Sequence, residues 1–154
     1  MMIPRTAIAR DNAGSVTIEL ALLAPLLAGM LIGLIDLSTA YSDKLRLEQV
    51  ANRTIEKIQQ NGFSASMETA LETEAETESG TGADADLTYW LECDGVKMTG
   101  SSAYTNGCAD GEENARYVQV RIQKNYTPMI MARFSRSNTD GTMTVFGTAG
   151  IRIQ

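Results

Sequence analysis

Few residues in this 154-residue chain are placed to do chemistry, and the missing types narrow the field first. There is no histidine, so the commonest general base and the commonest metal ligand are both absent. Serines and threonines are plentiful, yet none stands in a nucleophile elbow or a Ser-x-x-Lys arrangement that would activate its hydroxyl. Asp110, Glu112, Glu113 and Asn114 offer oxygen ligands, but their spacing departs from an EF-hand loop and no glycine stands at its sharp turn. The sequence therefore predicts no enzyme, no metal site and no cofactor.

Cys93 and Cys108 are the only cysteines. In an exported chain such a pair reads most simply as one disulfide. Two reduced thiols, or half of a metal site, are the alternatives, and neither a further cysteine nor a histidine exists to complete four ligands. A bridge between them would close a loop rich in Gly, Ser, Thr and Asn.

The other notable group lies near the N-terminus, where Gly14, Ser15 and Glu19 precede a strongly apolar run. Leu20 to Ile35 contains no charge, and Val16 to Ile18 and Leu37 to Ala40 extend the run on both sides, interrupted only by Glu19 and Asp36. A hydrocarbon core of about 30 Å is crossed by about 20 helical residues. The segment is long enough to span a membrane, and its two carboxylates sit near its ends, where they cost least. Arg5 and Arg10 precede it, and the positive-inside bias places them in the cytoplasm and the rest of the chain across the membrane. Within the span Pro25 removes a backbone donor and loosens the helix, while Gly29 and Gly33 have the small-xxx-small spacing that lets membrane helices approach closely.

The run Gly14-Ser15-Val16-Thr17-Ile18-Glu19-Leu20, with the apolar stretch behind it, resembles the class III signal of type IV pilin-like proteins. That resemblance implies cleavage by a prepilin peptidase after Gly14, leaving Ser15 first and Glu19 fifth in the mature chain. The new amine on Ser15 would lie about one helical turn from Glu19. In a packed assembly the Glu19 carboxylate could instead neutralise a neighbour's amine and set the register, because an unpaired charge among apolar helices is strongly disfavoured. The longer stretch through Ala24-Pro25-Leu26-Leu27 and the segment Gly33-Leu34-Ile35-Asp36-Leu37 are similar to TadE-like pseudopilins of the tight adherence system. A C-terminal similarity covers Tyr117 to Ile122, Tyr126-Thr127-Pro128 and Ile151-Arg152-Ile153.

The resemblance implies a minor pilin that helps assemble, prime or cap adhesive pili. Its partners would be a prepilin peptidase, other pilin-like subunits, an inner-membrane assembly platform and membrane lipid. Its expected place is the bacterial inner membrane, with the N-terminus cytoplasmic and the head periplasmic, and from there an extracellular pilus. Serine at the first mature position differs from the aromatic residue of many major pilins, and with the large ectodomain this points to a minor component.

These features need a scaffold. Leu37, Tyr41, Leu45, Val50, Ala51, Ile55 and Ile58 recur at helical spacing, so the membrane helix is expected to run on to about Gln60, with Asn61-Gly62 as its stop. Ser64 to Glu78 reads as a short acidic helix capped by Ser64 or Ser66, or equally as a mobile Glu-Thr loop. Leu87 to Glu92, Tyr117 to Lys124 and Thr142 to Ile153 carry strand signals, with turns at Asp94-Gly95 and Asp140-Gly141. Val118, Val120 and Ile122 alternate with polar residues, so one sheet face should be buried on the helix. The expected fold class is α+β: a long N-terminal transmembrane and spine helix packed on a small antiparallel β-sheet head with one disulfide. Its divisions are a leader over 1–14, a membrane helix over 15–40, an amphipathic spine extension over 41–62 and a head over 63–154.

A net charge of −6 and a pI near 4.6 exclude a phosphate-tracking nucleic-acid binder. The acids crowd Ser64 to Glu113, whereas bases dominate after Asn114. Such polarity suits either a solvated acidic face or complementarity between copies. The competing functional reading is an extracytoplasmic binding domain, either anchored or released by an ordinary signal sequence cut after Ser38-Thr39-Ala40.

Overall fold

The computed structural model describes residues 13–98, 100–129 and 138–153, and of residues 13–16, 101 and 103 the backbone only. One helix, α1 (Ala13–Asn61), accounts for the apolar run and the amphipathic stretch together, its 49 residues giving about 74 Å at about 1.5 Å each. It passes Pro25 and Ser38 without a break and stops at Gly62, whose φ of 74° lies in the left-handed region that terminates helices. A tight 3-10 turn (Ala65–Met67) leads into α2 (Glu68–Ser79). Ser64 stands at the N-cap of that turn, but its hydroxyl pairs with the Ser66 hydroxyl at 2.9 Å and caps no backbone amide.

Four antiparallel strands follow among the described residues: β1 (Ala83–Cys93), β2 (Val96–Met98), β3 (Asn114–Tyr126) and β4 (Met143–Arg152). Their order in the sheet is β2-β1-β3-β4. The β1–β2 hairpin turns at Asp94 and Gly95, both at positive φ, which is the geometry that makes Asp-Gly a tight hairpin signal. A short helix, α3 (Ser101–Asn106), sits between β2 and β3 inside the disulfide loop, where the sequence had suggested only loop.

The core lies between the sheet and the upper half of α1. Leu47, Val50, Ala51, Ile55 and Ile58 of the helix meet Val118, Val120 and Ile122 of β3, with Leu71 and Ala75 of α2 closing one side. Of the apolar series read from the sequence, Val50, Ala51, Ile55 and Ile58 are buried, whereas Leu37, Tyr41 and Leu45 remain exposed. Gln119, Arg121 and Gln123 point to the opposite, solvent face, as alternation requires. The α+β arrangement expected from the sequence is thus the observed one.

The acidic helix has a structural task that its low complexity concealed. β2 pairs only with the end of β1, from Leu91 to Cys93, so the lower part of β1 would present an open edge. Glu72 and Glu76, one turn apart on α2, accept hydrogen bonds there from the amides of Leu87 (2.9 Å) and Ala85 (3.3 Å). Covering a strand edge in this way removes a template for unwanted pairing.

Candidate functional site

The N-terminal part of α1 carries the residues singled out for processing and assembly. Gly14 and Ser15 fall in its first turn, and Glu19 is exposed one turn further on. The leader arginines Arg5 and Arg10 lie outside the described residues. Ile18, Leu20, Leu22, Leu23, Leu26 and Leu27 are all exposed, and the helix from Thr17 onward is long and apolar enough to cross a membrane. A Cβ added to Gly29 or Gly33 would meet nothing within 4 Å among the described residues. Pro25 is accommodated within the helix. Exposed apolar surface of this extent is stable only when lipid or other apolar helices cover it.

Asp36 is the residue that sequence reasoning undervalued. Although it stands near the end of the apolar span, it is 1% exposed. Its carboxylate oxygen Oδ1 accepts hydrogen bonds from the Tyr126 hydroxyl (3.1 Å) and the Met129 amide (2.9 Å), 90 and 93 positions along the chain. The end of β3 and the turn behind it, including the buried Pro128, are thereby tied to α1 where the apolar run ends. Burial, and then the hydrogen bond to Asp36, push the Tyr126 phenol above its ordinary pKa of 10.0. A carboxylate inside an apolar helix is itself a signal that a polar partner must exist elsewhere; what the sequence lacked was the partner's address.

At the far end of the sheet the two cysteines form the expected bridge, with Cα atoms 5.6 Å apart. In the chain-entropy account a loop of about 15 residues closed this way gains about 3 kcal/mol. Tyr104 of α3 packs edge-on against Phe63 (5.7 Å) and Tyr89 (5.1 Å), so an aromatic cluster fastens the loop to the helix end and to β1. Glu112 lies near both sulfurs, but sulfurs joined to each other cannot act as thiolate ligands. Glu112 accepts instead from the Ala109 amide (3.1 Å), and Glu113 faces Arg152 at 3.7 Å. Glu112 thus ties the turn to itself, while Glu113 links it to β4.

The larger clefts are open grooves. One of about 500 Å³ runs along α1 beside Ser42, Arg46, Gln49 and Arg53, and Arg46 there donates to the Glu78 carbonyl at 3.0 Å.

Comparison with known proteins bears on the helix. The family model described as TadE-like protein matches residues 14–55, a segment that opens at Gly14 and ends within the buried part of α1. No curated protein and no solved structure matches the chain.

Proposed function

We propose, from a chain whose residues 14–55 match a TadE-like protein, that it is a minor pilin-like subunit of a tight adherence system, made as a precursor and cut after Gly14 by a prepilin peptidase. The observation that carries this reading is that the matched segment begins at the glycine and covers the apolar helix, whose surface is left bare within the chain. Cleavage leaves a charged amine on Ser15 and a carboxylate on Glu19, about one turn away. As apolar helices pack together, each of these charges requires a partner, and Glu19 meets the amine of a neighbouring subunit. Gly29 and Gly33, open on the helix surface, provide room for close helix approach.

In this reading the chain is held in the inner membrane with its head in the periplasm, joins other pilin-like subunits on the inner-membrane platform, and assembles, primes or caps adhesive pili. It works as a structural part and not as an enzyme. An ordinary signal sequence cut after Ala40 fits the fold less well. It would take Asp36 away from the head and leave the Tyr126 hydroxyl and the Met129 amide without their acceptor.

The test is mass-spectrometric sequencing of the N-terminus from membranes of cells with and without the prepilin peptidase. A start at Ser15 that depends on the peptidase is expected. A start at Tyr41 would establish a secreted domain, and an intact Met1 a plain anchor; either would overturn the proposal. Glu19→Ala should leave processing largely intact and abolish assembly, and full assembly by this variant would remove the role given to Glu19.

A further inference from the structure

We propose that the end of the head that carries Met129 rests on the bilayer surface, so that the head is seated on the membrane and does not stand off from it on a free stalk. This rests on the reading of α1 as a membrane helix and adds where the membrane must end. From Ser15 to Ile35 the helix rises about 31 Å at about 1.5 Å per residue, against a hydrocarbon core of about 30 Å. The next residue is Asp36, buried and bound by the Tyr126 hydroxyl and the Met129 amide. The span is used up where the head takes hold, and no length of bare helix remains between them.

The side chains at this level suit that position. Met129, whose amide is fixed to Asp36, is 78% exposed, the most exposed large hydrophobic residue among those described. Leu37 and Tyr41, within about a turn and a half of Asp36 on α1, are 58% and 60% exposed. Tyrosine with an apolar body and a polar tip favours the headgroup layer. Continuity with the apolar helix below makes lipid the occupant of this face, and the exposed side chains at this level, Leu37, Ser38, Thr39, Tyr41, Thr127 and Met129, carry no charge, which suits the interface itself and not a particular charged headgroup. The disulfide hairpin lies at the other end of the sheet. Along β3 from Tyr126 to Asn114, which pairs with Cys93, the strand rises about 40 Å. The Cys93–Cys108 loop is thereby the part of the head held farthest from the bilayer.

The experiment uses the full chain in phosphatidylcholine vesicles. In a Trp90→Phe background, a tryptophan is placed by Leu27→Trp, Met129→Trp or Val96→Trp, and its fluorescence is quenched by spin labels at shallow or deep acyl positions or by aqueous acrylamide. Met129→Trp should be quenched at least two-fold more by the shallow label than by the deep one, Leu27→Trp more by the deep label, and Val96→Trp by acrylamide only. Deep quenching of Leu27→Trp with Met129→Trp responding only to acrylamide would overturn the seated head while leaving the membrane helix intact. Leu27→Trp insensitive to either lipid label would instead overturn the membrane reading, and this proposal with it.

Discussion

Gly147 of β4 lies directly on the backbone of Leu47: a Cβ built on the glycine would stand 2.4 Å from the Leu47 carbonyl carbon and 2.4 Å from the Glu48 nitrogen. The sheet crosses α1 closely here, and the neighbours are helix backbone, which cannot swing aside as a long side chain would. Val118 and Val120 of the adjacent strand are buried in the same core as Leu47.

Gly147→Ala should therefore be strongly destabilising. Overpacking typically costs about 1–3 kcal/mol, and here the upper end is expected because backbone must shift. Gly150→Ala, whose Cβ would stand 3.4 Å from the Val118 carbonyl oxygen, should cost clearly less. Thermal unfolding of both full-length variants in detergent micelles checks the order, and equal melting temperatures would show that the crossing tolerates a methyl group.

The carboxylates over β1 and those facing Lys57 should behave differently. Glu72→Ala leaves the Leu87 amide without its acceptor, a loss of about 1–3 kcal/mol, and opens a strand edge, so self-association should rise with it. Lys57 contacts Glu74 and Glu78, but all three side chains are partly open to solvent, and Lys57→Ala should cost less than about 1 kcal/mol. Denaturant melts with light scattering separate the two. A Glu72→Ala protein that melts and stays monomeric like the parent would contradict the edge-covering role.

Three phenols should report burial through pH. Burial is the first cause that raises Tyr89, Tyr104 and Tyr126 above 10.0, with Asp36 adding to it at Tyr126 and Arg116 opposing it at Tyr104. A raised value means that the folded chain holds a proton the unfolded chain has released. The stabilisation is fully present below about pH 10 and is lost as pH rises through the folded values. Phenolate absorbance of the folded protein should thus develop at higher pH than that of the urea-unfolded chain, and coincident curves would refute the effect. At neutral pH Tyr126→Phe should cost about 1 kcal/mol through its lost hydrogen bond to Asp36.

Much of this architecture was legible in the residues because it follows from local rules. The uncharged run from Leu20 to Ile35 fixed a membrane-length helix, Asn61-Gly62 its end, Asp94-Gly95 a hairpin, and the alternation at Val118, Val120 and Ile122 the buried sheet face. Each depends on periodicity or on a backbone preference carried by one or two neighbouring residues. The sole pair of cysteines likewise left one possible bridge, and the structure forms it.

Tertiary structure alone decided what those elements do to one another. Which part of the apolar helical series is covered depends on where the head docks, so Leu45 stays exposed while Leu47 is buried two positions later. The Glu-Thr stretch read equally as helix or mobile loop, because the amides that Glu72 and Glu76 satisfy belong to β1. Asp36 and Gly147 are the plainest cases. A carboxylate announces that it needs donors and a glycine that something comes close, but Tyr126, Met129 and Leu47 lie far away in sequence, and only folding brings them together.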